Sequence, residues 1–484
     1  MIAVVLALLV VPLAAGITCA VLPARYVKVT AAVTVAAGTC CFALILALVP
    51  AAAHRDLSYL SYLRVDAVSV IFLLATGFLY AAVAVYAVGY TKRHEELYAR
   101  RFYAGLNLFA ASMLAAPLMS SLALLWIAVE VTTVISALLV AIEDTDGAAE
   151  AAWKYVLIAS AGLGLALLGT VFAYFAGSQL LGQHYNLDIG PLIAAGPHLP
   201  HTPVRLAFLL ALLGYGTKVG LFPVHTWLPD AHSEAPTPIS ALLSGSLLAV
   251  SFYAILRFYQ VAAASLGSGF PRGALLVFGV ASLLLAALYV FGQRDIKRLL
   301  AYSSVEHMGI LAVGVSFGAP VALAGVMLHV LAHAAAKGNA FMGAGVFAVK
   351  FGSKEISALR GGLGVLPWSG PLFLLAVFAL AAMPPSGIFR SEFQIVYGGL
   401  GAGDYAAAAV LILLVTVAFF GLTASATRML FTPAPHALSR SEPSIWMVLP
   451  VVAGVVVLFG LGLHPPAELT GLIHRAVAQL GAAR

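Results

Sequence analysis

Lys218 lies in an apolar stretch, Leu206 to Leu228, whose far end is interrupted by Pro223 and Pro229. A charged side chain near mid-bilayer costs about 2.5–3.5 kcal/mol on insertion scales, and residues kept there mark ion or proton pathways. A helix broken at membrane depth survives only where protein or a water-filled cavity satisfies the freed backbone groups. Lysine plus break therefore predicts a hydrated site inside a transport protein. Glu130 sits midway through a second apolar run. It is either a carboxyl paired for packing or a carboxylate whose proton affinity is set by a nearby lysine. At about 8 Å and an effective dielectric of about 20, such a lysine acts with about 2 kcal/mol. That is enough to load or unload a proton as Lys218 approaches or recedes.

His329, His333 and Lys337 recur every four residues, which stacks them on one helix face. Three titratable groups in file over about 12 Å read as a proton wire. The rival reading is a metal, because His-x-x-x-His suits zinc. No carboxylate or cysteine beside the pair completes a ligand set, so no metal ligand is assigned. Glu392 follows a second break, Met383 to Gly387, and would end a file running from Lys218 through the histidines. Its pairing with Arg390 is disfavoured because residues two apart face different sides of a helix.

Further residues are access or relay candidates. His225, Asp230, His232 and Glu234 flank the first break, as an access route or simply as a polar loop. Glu306 and His307 lie early in a later span and could feed the path. Lys154 opens another, where the alternative is a lysine snorkelling to the interface. Arg257 and Arg428 end their helices and read as interface anchors.

The elements that position these residues follow from composition. Of 484 residues, 62% are hydrophobic and 9% charged, against about 25% charged in soluble domains, so the chain reads as an all-α polytopic membrane protein. About fourteen spans are predicted: 1–22, 27–50, 65–90, 103–120, 122–142, 152–176, 204–229, 238–262, 274–292, 299–316, 319–349, 367–400, 405–431 and 445–463. The eleventh and twelfth exceed one straight helix and are expected to break internally. Residues 1–22 resemble a signal peptide but lack a charged start, and read as the first span. The tail after Pro466 has the spacing of a short interfacial helix.

Lysine and arginine concentrate in odd-numbered loops, at Lys92, Arg100, Arg294, Lys297, Arg298, Lys350 and Lys354 among others. Those loops are expected to be cytoplasmic and both termini on the outer side of the cell membrane. The formal net charge of +6 is thus topological and implies no nucleic-acid partner. Cys19, Cys40 and Cys41 lack metal-ligand spacing. The two broken spans lie five spans apart, each with a nearby intramembrane charge, which is the mark of inverted repeats in transporters. The organisation expected is helices 1–3 (1–102), a first repeat of five helices (103–262), a second (263–431), then the last helix and tail (432–484).

The segment from Lys218 to Pro238, the stretch Asp295-Ile296-Lys297-Arg298-Leu299-Leu300-Ala301-Tyr302-Ser303-Ser304 and the His329 to Lys337 helix carry a resemblance over nearly the whole chain. Together with Glu130 and the Pro384 to Glu392 break, they resemble the antiporter-like proton-translocating subunits of respiratory complex I, group 4 membrane-bound hydrogenases and Mrp antiporters. Glu150 to Tyr155 and His232 to Pro236 look most like the hydrogenase-4 branch. The resemblance implies that Glu130 and Lys218 form the coupling pair, that His329, His333 and Lys337 carry protons laterally, and that Glu392 is the exit group. One departure is plain. Many complex I relatives carry a lysine in the eighth span where this chain has Ala249, so transfer between the repeats would need water, Ser244, Ser246 or Ser251.

The expected function is a proton-translocating subunit of a redox-driven multi-subunit membrane complex, with electrons handled by other subunits. No GxGxxG, CxxC or haem-ligand pattern is present, and no cofactor is expected. The second reading is a subunit of a cation/proton antiporter, moving sodium as well as protons, or of an ion-coupled uptake system without a redox partner.

Overall fold

Long apolar runs become helices here because backbone groups in lipid must be satisfied within the segment, and Asp66, Ser121, Thr145, Asp295 and Ser386 each accept from an amide in the first turn of the helix that follows. In the computed structural model, which describes residues 1–434 and 438–481, the order is α1 (Ile2–Val21), α2 (Val27–Ala52), a hairpin of β1 (Leu57–Tyr59) and β2 (Leu63–Val65), then α3 (Ala67–Tyr90), α4 (Glu96–Ala115), α5 (Leu122–Val140) and α6 (Asp146–Leu181). Next come α7 (Ile189–Ala195), α8 (His201–Val219), α9 (Trp227–Glu234), α10 (Thr237–Leu242), a π turn over Leu243–Leu247 and α11 (Leu248–Leu266). The remainder comprises α12 (Gly269–Tyr289), α13 (Ile296–Phe317), α14 (Pro320–Phe351), α15 (Gly362–Val365), α16 (Ser369–Leu380), α17 (Gly387–Gly401), α18 (Tyr405–Phe431), α19 (Ile445–Leu463) and α20 (Ala467–Gly481). Among the described residues, 11 helices are long and apolar enough to cross a membrane. The protein is an all-α, multi-pass membrane protein; the small antiparallel hairpin, with Leu57 opposite Val65, is its only β element among those residues.

Two of the three expected helix breaks are present. The first separates α8 from α9. Gly220 takes φ +83° at the end of α8, a left-handed position that glycine adopts without a Cβ penalty. The freed groups find partners: Trp227 Nε1 donates to the Thr217 carbonyl at 2.7 Å, and Phe222 N donates to Ser282 Oγ at 2.9 Å. The second break, residues 381–386, separates α16 from α17, whose first turn is capped by Ser386 accepting from Phe389 N at 3.2 Å.

A break in the eleventh span does not exist. α14 runs unbroken for 32 residues. Its only proline is Pro320, in the first turn, so no internal residue lacks an amide hydrogen. Its glycines serve close packing instead: a Cβ on Gly338 would lie 2.4 Å from Leu79 Cδ2, and one on Gly345 would lie 2.5 Å from the Tyr86 hydroxyl. α14 is the central helix, touching α3, α10, α13, α16, α17 and α19.

Loop contacts fall into two groups. At one end, Asp230 pairs with Arg298 at 2.6 Å and Lys154 at 3.4 Å, and Glu234 pairs with Lys354 at 2.7 Å. At the other ends of the same helices, Ser120 N donates to Tyr62 O at 2.9 Å and Ile189 N donates to Ser120 O at 3.0 Å. There α20 also returns to the loop after α2 through Arg475 and Asp56 at 2.8 Å. Exposed pairs of this kind contribute only about 0–1 kcal/mol each, so they report loop position more than stability.

Arg257 is not an interface anchor. It is 1% exposed and donates to both oxygens of Asp66 at 2.7 Å, inside the bundle. Asp66 also caps α3 by accepting from Ser69 N at 2.9 Å. Breaking a buried pair leaves an uncompensated charge, so Arg257→Ala should destabilise the protein by about 3–5 kcal/mol. A thermal midpoint in detergent within a degree of wild type would refute this.

Candidate functional site

The site is built from α5, α6 and α8 on one side and α13, α14 and α17 on the other. Lys218, in the last turn of α8, is fully buried. Its ammonium donates to Thr133 Oγ1 at 2.7 Å and to the Tyr155 hydroxyl, and lies 4.6 Å from the centre of the Tyr155 ring. Tyr155 in turn meets Ser136 Oγ at 2.7 Å and packs on Trp227 at 4.4 Å between centroids. Glu130, half-buried, stands three residues before Thr133. Its Oε1 accepts from Ser160 Oγ at 3.2 Å and its Oε2 has no hydrogen-bond partner. Among the described residues no ion pair joins Glu130 to Lys218; the lysine is held by hydroxyls.

α6 presses on α8 at glycine, where a Cβ on Gly214 would lie 2.6 Å from the Gly162 carbonyl. That approach brings Tyr155 to the lysine. A tyrosine beside Lys154 in an apolar run carries no sequence signal of this role, and Tyr155, Thr133 and Ser136 were not foreseen.

The residues around the first break divide. Asp230 and Glu234 belong to the surface ion pairs above, and Lys154 joins them, pairing with Glu150 at 2.6 Å as well as with Asp230. His225 is buried and packs against Phe222. His232 is fully buried between Trp227 and Phe341, at 6.4 and 5.4 Å between ring centroids, and neither ring nitrogen has a hydrogen-bond partner.

In the second half, His329 and His333 share a helix face as expected, but they are not hydrogen-bonded to each other and their ring centroids are 6.2 Å apart. His307 of α13 enters between them, 5.2 Å from each, and its Nδ1 is 3.1 Å from His329 Nε2. The far nitrogen of His329 meets Ser391 Oγ at 2.9 Å. Glu392 Oε1 is 3.9 Å from His307 Nδ1, so a carboxylate does stand beside the histidines, supplied by α17 across the fold. Glu392 also lines a cavity of about 510 Å³ with Met383, Pro384, Phe389 and Phe419. Arg390 points elsewhere, donating to the Gly462 carbonyl at 3.1 Å.

Lys337, fully buried, donates to the Leu300 carbonyl at 2.9 Å. The Leu300 carbonyl also accepts from Ser304 Oγ at 3.0 Å, and Ser304 meets Ser244 Oγ at 2.7 Å. Of the three serines near Ala249, only Ser244 reaches toward the second half; Ser246 donates to Thr76 at 2.8 Å and Ser251 to its own helix. Ser244 lies in the π turn, a feature that often marks functional sites and that no residue pattern announces.

Similarity to known proteins covers this whole assembly. The chain is 33% identical over 423 residues to the hydrogenase-4 component F homolog of Methylacidiphilum infernorum, covering 84% of this chain and 87% of that one. It is 30% identical over 425 residues to NADH-quinone oxidoreductase subunit N of Desulforudis audaxviator, covering 84% and 82%. A subunit in the structure of the Mrp complex from Dietzia sp. DQ12-45-1b superposes with a TM-score of 0.86 at 22% identity, over 99% of this chain and 97% of that chain. Residues 119–421, which hold nearly every group described above, match the family model for the NADH:quinone oxidoreductase/Mrp antiporter transmembrane region, and the chain belongs to that family.

Proposed function

We propose that this chain translocates protons as an antiporter-like membrane subunit of a redox-driven, multi-subunit complex of the hydrogenase-4 or NADH:quinone oxidoreductase type. The likeness to a hydrogenase-4 component F homolog favours this over an antiporter without a redox partner. The observation that carries the reading is the run of buried ionisable side chains between the two broken helices: Lys218, His232, Lys337, Glu306, His307, His329 and Glu392.

In this reading Glu130 and Lys218 form the switch. A lysine seated on hydroxyls has no fixed counter-charge, so its protonation follows the charge state of Glu130. His232, with two free nitrogens, bridges the halves where Ala249 replaces a lysine, assisted by water and the Ser244–Ser304 pair. Lys337 then sets the charge felt by His333, His307 and His329, and Glu392 releases the proton to the cavity at the second break. His225 is the access group at the first break.

Fourteen crossings follow if α8 with α9, α10 with α11, and α16 with α17 each count as one, with repeats at 103–262 and 263–431. The segregation of odd and even loops to opposite ends supports that topology, and the basic odd loops support outer-side termini in the plasma membrane.

The test is proton uptake by vesicles containing the assembled complex. His232→Gln should lower it by roughly 10²-fold, the scale of a lost proton-transfer group, without loss of assembly. Wild-type uptake in His232→Gln would remove the bridge.

A further inference from the structure

The geometry points to a divalent transition-metal site of the zinc class formed by His307, His329 and Glu392. One ligand atom from each of the three lies within 4.8 Å of the others. His307 Nδ1 is 3.1 Å from His329 Nε2 and 3.9 Å from Glu392 Oε1. Ligands at zinc–nitrogen and zinc–oxygen distances of about 2.0–2.2 Å stand about 3.3 Å apart in a tetrahedron. A small movement of the Glu392 side chain therefore closes the set.

The hydrogen bonds around the histidine favour this use. Ser391 Oγ donates its only hydrogen to the Ile388 carbonyl at 2.8 Å, so it must accept from Nδ1–H of His329 at 2.9 Å. Neutral His329 then presents its Nε2 lone pair toward His307. A partner that fixes the outer nitrogen in this way is what orients metal-bound histidines. Glu392 Oε1 is buried and has no hydrogen-bond partner, and the Glu392 side chain also borders the 510 Å³ cavity at the second break.

The set differs from the His329–His333 pair that spacing alone would nominate, because α13 and α17 bring its other members. A cation held there occupies the nitrogens that the proposed proton path uses, so zinc should block proton flux; that consequence rests on the reading above, whereas binding does not.

The experiment loads the purified full chain with zinc, counts bound metal and records zinc-edge X-ray absorption. Wild type should hold one zinc with two imidazole nitrogens in its shell. His307→Gln, His329→Gln and Glu392→Gln should each lose it, and His333→Gln should keep it. Absence of zinc in folded wild type, or loss in His333→Gln equal to that in His307→Gln, would overturn the site. Zinc bound as described with proton flux undiminished would leave the site standing and remove these residues from the proton path.

Discussion

Lys218→Arg is expected to stop proton translocation as completely as Lys218→Ala, by roughly 10²-fold or more, while assembly is retained. The ammonium of Lys218 fits between Thr133 Oγ1 and the Tyr155 hydroxyl in a fully buried seat. Arginine keeps the charge but does not deprotonate in proteins, and its planar fork does not match a seat built for a point charge. If the site needed only a positive charge for packing or orientation, arginine would preserve function and alanine would not. Proton uptake in vesicles, with subunit content checked by mass spectrometry, separates the two. Wild-type uptake in the assembled arginine variant would remove Lys218 from the proton path.

In the second half of the path, Lys337→Ala should be the most damaging single change, again roughly 10²-fold. His307→Ala should follow, and His333→Ala should be mild. The order comes from position. Lys337 is fully buried on the histidine helix with its amine on the Leu300 carbonyl at 2.9 Å, and water cannot supply the charge that a lysine can carry there. His307 is the ring that touches both His329 and His333, at 5.2 Å each. His333 makes no hydrogen bond, so water can stand in for it. Equal losses for His329 and His333 with Lys337→Ala mild would reverse the assignment.

What could be read in advance was what a linear pattern encodes. Apolar runs gave the helices, and the prolines with a charge nearby gave both breaks. Lys218, Glu130, Lys337 and Glu392 stood out because a charge in an apolar run is costly wherever it sits. What could not be read was which helices meet. The spacing of His329 and His333 placed them on one face, yet the imidazole that His329 meets at hydrogen-bond distance is His307, 22 residues away on α13. The carboxylate missing from the local sequence arrives on α17. The seat of Lys218 depends on α6 closing on α8 through Gly162 and Gly214. Arg257 resembled an interface residue because its buried partner, Asp66, is 191 positions away. The eleventh span suggested a break because it exceeds one straight crossing, whereas α14 runs unbroken for 32 residues and its glycines admit neighbouring side chains.

The central claim is that one path joins the first break to the second. Proton uptake measured for Lys218→Ala, Glu392→Gln and their double variant, in the assembled complex, tests it most directly. Groups acting in series fail as a unit, so each single variant should abolish uptake and the double should be no worse than either. If each single variant retained about half of the wild-type flux and only the double abolished it, two independent paths would be at work and the claim would be wrong.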